Sequence, residues 1–176
     1  RSRWCTVWSL TNGDGYKIDN AIRQPGWDTI DKVHDDGHFY STKPPLLSTL
    51  VAGLYWLERA ALGWTLDEHP TLVVPLLLVF INLLPWGAAV WVLSEIVRRY
   101  SASTTTVIVI TAIAAWGTLL TPFLSTFNNH GPAAVCLIFA LGAAMRITLD
   151  GDTRWWRYAL CGFFAALTTT FELPAA

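Results

Sequence analysis

The chain has 176 residues, a formal net charge of -1 and a mean hydropathy of +0.39; 53% of its residues are hydrophobic and only 14% are charged. Soluble domains carry about 25% charged residues, so this composition argues against an ordinary soluble domain, a disordered chain and a cationic nucleic-acid binder, and no nucleic-acid partner is expected. Cys5, Cys136 and Cys161 show no CxxC spacing and no even pairing; they point to neither a zinc module nor a disulfide scaffold and read as small apolar filler.

The chain opens on Arg1, and Met145 is its only methionine, which reads as a piece of a longer protein. Residues 1–43 hold nearly half of the charged side chains and are expected to form a water-exposed loop with short helices. Asn12-Gly13-Asp14-Gly15 is a turn signal without the later ligands of a calcium loop, and Gln24-Pro25-Gly26-Trp27 is another turn. Asp28 is placed to cap a short helix through Lys32, closed by Asp35-Asp36-Gly37, after which His38 to Thr42 runs extended into Lys43-Pro44-Pro45-Leu46.

Residues 44–62 offer about 21 Å of helix before Glu58, short for a bilayer core of about 30 Å. An amphipathic helix along the outer interface is preferred, with a crossing helix as the alternative. Beyond it lie long apolar runs, and spans are expected near 71–95, 103–126, 131–148 and 157–175 within a bundle covering 71–176. Pro75, Pro85 and Pro122 fall inside these runs, where membrane helices tolerate proline and kink. The expected fold class is therefore an all-α polytopic membrane protein with about four transmembrane helices, an interfacial helix and an extracytoplasmic loop.

Sidedness follows from the cations. Arg98, Arg99, Arg146, Arg154 and Arg157 lie in two loops, whereas the segments 63–70 and 125–131 contain no Lys or Arg. The positive-inside rule puts the arginine loops in the cytoplasm and Asp67, Glu68, Asn128, His130 and Glu172 outside. If 44–62 is interfacial, residues 1–43 are extracytoplasmic and face the same space as His130.

Three clusters can carry chemistry. A double proline fixes Lys43 on a rigid corner at headgroup level, where a cation binds a lipid phosphate; the plainer account is an ordinary interfacial lysine before a helix entry. Asp35, Asp36 and His38 offer two carboxylates and an imidazole to a divalent metal ion, or else a solvated turn. Asn128-Asn129-His130 sits at a mouth between two spans, suited to a sugar or a metal, or else to capping the next helix through Asn129 or His130. Glu172, near the outer end of the last run, is an ordinary interfacial acid unless it is buried.

The order of a charged outer loop, Lys43-Pro44-Pro45-Leu46, an interfacial helix, Arg98-Arg99 after a span, and a polar residue two before Pro132 resembles the polyprenyl-phosphate-sugar-dependent membrane glycosyltransferases of the C-type fold. That family includes protein O-mannosyltransferases and aminoarabinose transferases. The resemblance covers nearly the whole chain as an N-terminal fragment. It implies inverting transfer of a sugar from a polyprenyl-phosphate donor to an acceptor at the extracytoplasmic face, among bilayer lipids. It also implies that Lys43 and Arg3 stabilise the departing lipid phosphate, that His130 occupies the family's second acidic position, and that a metal would use Asp36 or His38. The family's first acid, three residues ahead of its Arg-aromatic pair, would fall one position before Arg1 if that pair is Arg3-Trp4. Where the family often has Glu before the lysine, this chain has Thr42. The competing class is a non-catalytic polytopic protein, a transporter or lipid-handling subunit; polar residues at the ends of the runs rather than mid-membrane weigh against a transport pathway.

Overall fold

The computed structural model describes residues 1–172. The chain divides into two compact units, Arg1–Leu77 and a second beginning at Leu78.

The first unit starts with α1 (Ser2–Thr11) and the short α2 (Asp19–Ile22), followed by strands β1 (Lys32–Asp35) and β2 (His38–Ser41), α3 (Pro45–Leu62) and α4 (Pro70–Leu78). The two strands form an antiparallel hairpin in which Val33 pairs with Tyr40 and Asp35 with His38. This corrects the all-α expectation and the helix expected from Asp28 to Lys32. Asp36 and Gly37 both have positive φ, 45° and 78°, the conformation demanded of a two-residue hairpin turn. Asp-Gly therefore reverses the chain instead of stopping a helix. Upstream, Asp28 Oδ1 accepts from the Thr29 amide at 2.8 Å and also pairs with Lys32 Nζ, while Thr29 Oγ1 accepts from the Asp31 amide at 3.2 Å. Side-chain oxygens that bond the local backbone in this way favour a turn over a helix. The lysine contact, followed by that amide bond, holds the Asp28 carboxyl below the usual aspartate range.

Cys5, Ile18 and Ala21 are buried together under Trp8, Ile22, Trp27 and Phe39. Trp27 reaches this cluster because Pro25-Gly26 makes a tight turn, with Gly26 at φ 79° and the Trp27 amide on Gln24 O at 3.1 Å. Burial pushes the Cys5 thiol up from its ordinary value, which keeps it protonated and inert.

Helix α3 begins as the double proline predicts: Pro44 is extended at φ -50°, ψ 130°, and Pro45 takes the first helical turn. It ends at Gly63, whose amide bonds Arg59 O at 2.9 Å. Its inward stripe is Leu47, Ser48, Val51, Ala52, Tyr55 and Glu58, whereas Leu50, Trp56 and Leu57 are exposed. The helix packs on α1 and is fastened to the turn that follows it by Arg59 Nη1 to Asn12 Oδ1 at 3.1 Å and by Tyr16 with Thr49 at 2.8 Å.

Glu58 is the anomaly of this stripe. It is buried, and among the described residues neither carboxylate oxygen has a hydrogen-bond partner. Desolvation raises its carboxyl above the ordinary glutamate value. An acid whose folded pKa exceeds its unfolded pKa binds more protons when folded. Stability therefore falls as pH rises from the ordinary glutamate range through the raised value. Glu58→Gln is expected to abolish that slope, and Glu58→Leu to raise the melting temperature at neutral pH, both read from thermal melts across pH 4–8 in detergent (roughly the window of a shifted carboxyl). A Glu58→Leu protein that melts earlier at every pH would contradict this account.

Between α4 and α5 (Leu84–Tyr100) the helix widens into a π turn at Val79–Leu83. Pro85 cannot donate to the preceding turn, and the Leu84 amide bonds five residues back to Val79 O. The helical run Pro70–Tyr100 and helix α8 (His130–Asp150) are both long and apolar enough to cross a bilayer. Among the described residues these two helices, in a mostly helical chain, are suited to a membrane by length and composition.

The second unit adds α6 (Thr104–Trp116), the single turn α7 (Leu120–Phe123), α8 and α9 (Trp155–Phe171). The stretch expected as one span over 103–126 is thus broken after Trp116. There Thr118 Oγ1 bonds Ala114 O at 3.3 Å and Thr121 Oγ1 bonds Ala115 O at 2.7 Å, satisfying the last carbonyls of α6 before Pro122. Helix α8 packs between α5 and α9. It comes close to α5 at Gly142, where an added Cβ would lie 2.8 Å from Val92 Cγ1.

Candidate functional site

The residues singled out in the sequence lie in different units.

Lys43 follows β2 at the double-proline corner. Its Nζ is 3.0 Å from Asp31 Oδ1, and its amide donates to Ser41 Oγ at 3.2 Å. Ser2 Oγ bridges Asp31 O at 2.7 Å and Ser41 Oγ at 2.6 Å, so the start of α1 fixes the strand that presents the lysine. Lys43 opens on a pocket of about 330 Å³ with Thr6, Tyr16, Tyr40, Ser41 and Pro45. A cation among four hydroxyl side chains suits an oxyanion such as a phosphate. Arg3 lies on the first turn of α1, outside that lining.

Asp36 and His38 do not assemble with a third ligand. Asp36 is exposed at the hairpin turn, and His38 Nδ1 faces Asp19 Oδ2 at 3.2 Å. Partial desolvation raises the Asp19 carboxyl, but the Phe39 amide and His38 outweigh it, so it sits below the ordinary aspartate value. Among the described residues no three His, Cys, Asp or Glu side chains converge in a way that would hold a metal ion.

In the second unit His130 is the first residue of α8. Its Nδ1 is 2.8 Å from Glu172 Oε2, just beyond the end of α9. Asn129 Nδ2 donates to the same carboxylate and to Phe171 O at 3.0 Å, which ties the two helix ends together. Facing a carboxylate, Nδ1 carries the proton of the neutral imidazole and Nε2 keeps its lone pair. The ring also lies against Phe123, with centroids 5.2 Å apart. The helix-capping role considered for Asn129 or His130 belongs to Asn128, whose Oδ1 accepts from the Gly131 amide at 3.2 Å.

Asn82 was not anticipated. It lies in the π turn, only 1% exposed, and donates to Leu124 O at 2.9 Å and Thr126 O at 3.0 Å. Those carbonyls belong to the segment that leads into His130, so one amide straps that segment to the π turn. Its Oδ1 is buried without a hydrogen-bond partner among the described residues and lies 3.7 Å from a Cβ added to Gly131. A lone amide in the apolar run from Thr71 to Val90 was the available signal, since a polar side chain there must find a partner. Asn82→Leu leaves both carbonyls without that donor and is expected to cost about 2 kcal/mol of stability. Thermal melts in detergent check this; a loss below about 0.5 kcal/mol would mean the strap holds nothing.

No protein-family model, curated protein or solved structure matches this chain.

Proposed function

We propose that the chain is part of a multi-pass cell-membrane enzyme that transfers a sugar from a polyprenyl-phosphate donor to an acceptor at the extracytoplasmic face by inversion. In this reading α6 and α9 join the two long helices in the membrane, α3 lies along the outer interface, and residues 1–43 are extracytoplasmic. The exposed Trp91, Ile108, Ile113, Trp116 and Leu137 fit a surface that meets lipid better than one that meets water.

The observation that carries the proposal is the Glu172–His130 pair. A transferase of this kind needs a base for the acceptor hydroxyl. A carboxylate on Nδ1 fixes the imidazole orientation, leaves Nε2 to take the proton and stabilises the imidazolium that forms. The second role, neutralising the departing phosphate, is assigned to Lys43, with Arg3 as its helper, because developing negative charge is best met by a cation already in place. Tight coupling of Lys43 to Asp31 keeps the ammonium oriented before the donor arrives.

The test is direct. Full-length protein in vesicles, given a polyprenyl-phosphate-linked sugar and a mixture of hydroxyl acceptors, is expected to release polyprenyl phosphate. Single cysteines at positions 43 and 130 are each expected to react with an impermeant thiol reagent from the extracytoplasmic side. Labelling of either position solely from the cytoplasmic side would defeat the reading.

A further inference from the structure

The arginine-bearing end of the second unit holds a groove that the transfer chemistry does not use. It lies between α5, α8 and α9 and measures about 420 Å³. Its walls include Phe139, Leu160 and Phe164, and its charged lining is Arg99, Arg146 and Arg157 with one acid, Glu95, which pairs with Arg98 at 2.9 Å. The three guanidinium groups are engaged to different degrees. Arg99 spends both terminal nitrogens on Asp150, at 2.6 and 2.7 Å. Arg157 uses only Nε, on Asp152 at 2.9 Å, and Arg146 reaches Asp150 only at 3.5 Å. Arg146 Nη2 and both terminal nitrogens of Arg157 are therefore uncommitted among the described residues, and Arg146 Nη1 is held only by the long contact.

The local charge is unbalanced. Arg98, Arg99, Arg146, Arg154 and Arg157 face Glu95, Asp150 and Asp152, the acids that pair with them, which leaves two positive charges in excess. The Arg154 and Arg157 guanidinium groups both lie against the Trp156 ring, 4.8 and 3.8 Å from its centroid, and Trp155 beside it is 79% exposed. Indoles of this kind anchor a helix end at headgroup depth. Forked donors beside apolar walls, at that depth and with surplus positive charge, match a lipid with a net negative phosphodiester and at least one acyl chain. A zwitterionic lipid would bring an ammonium group to an already cationic rim.

We infer that this groove binds one anionic phospholipid, its phosphodiester on Arg146 and Arg157 and an acyl chain along Phe139, Leu160 and Phe164. The inference rests on the helices lying in a bilayer and is independent of glycosyl transfer, so it stands or falls apart from that activity. Native mass spectrometry of the full chain in detergent, with phosphatidylglycerol and phosphatidylcholine of equal chain length, tests it. Phosphatidylglycerol is expected to be retained well above phosphatidylcholine. Arg146→Gln should cut that retention about fivefold, and Arg146→Gln/Arg157→Gln should bring it to the phosphatidylcholine level, at roughly one factor of five per cation. Lys17→Gln should change nothing. Water-soluble glycerophosphoglycerol at millimolar concentration should not displace the lipid, because it lacks the chain. Equal retention of the two lipids by the unmodified protein, a preference that survives Arg146→Gln undiminished, or displacement by the soluble headgroup would each overturn the assignment. Because Arg157 also anchors Asp152, the single Arg146 variant decides the matter if the double variant does not fold.

Discussion

His130→Ala in the full-length protein is expected to lower the rate of sugar transfer by about 10²- to 10⁴-fold, the usual worth of a positioned general base. Donor binding should stay nearly unchanged, since the imidazole acts on the acceptor proton rather than on the lipid phosphate. Glu172→Gln probes the same pair more gently. Its amide can still accept from Nδ1, so the ring keeps its place, but the negative charge that stabilises the imidazolium is gone. The loss should then fall between those of the unmodified protein and His130→Ala, and it should appear in kcat rather than in KM. Single-turnover assays with a radiolabelled donor separate the two. Full turnover in His130→Ala would remove the imidazole from the chemistry. The pair would then be a fastening between the ends of α8 and α9, and only the melting temperature would drop.

Lys43→Ala is expected to act on the donor. A charge-assisted hydrogen bond to a phosphate is worth about 1.5–3 kcal/mol, so kcat/KM should fall at least tenfold and transfer should approach the detection limit. Lys43→Arg restores the charge with a different shape and should recover part of the activity. Asp31→Asn tests the same ammonium from its other side. The carboxylate 3.0 Å from Nζ competes with any incoming phosphate, so its removal should tighten donor binding while loosening the corner. Unchanged kcat/KM in Lys43→Ala would refute the role given to this lysine, whatever happens at His130.

The double proline announced both the start of α3 and the presentation of Lys43, because Pro restricts its own φ and the residue before it. Apolar runs located both long helices, Pro70–Tyr100 and His130–Asp150, to within a few residues. Asp36-Gly37 serves equally as a helix stop and as a hairpin turn, and reading it as the former hides the hairpin. Yet Lys-Val-His-Asp and His-Phe-Tyr-Ser flank it with the β-branched and aromatic residues of short strands. Sidedness put Glu172 and His130 on one side, but separation along the chain gives no hint that Nδ1 and Oε2 meet. The strap from Asn82 was hidden for a different reason. The widening of the helix ahead of Pro85 decides which way that side chain points, and a regular helical repeat does not foresee it.

The close approach of Gly142 to Val92 carries a message for anyone assembling homologues of this chain. The two positions share one volume, so they should covary: a lineage that gains a methyl group at 142 should shrink the residue at 92 to alanine or glycine. Pairs that instead enlarge together would signal that these two helices have drawn apart, and that the neighbouring arginine rim has been rebuilt with them.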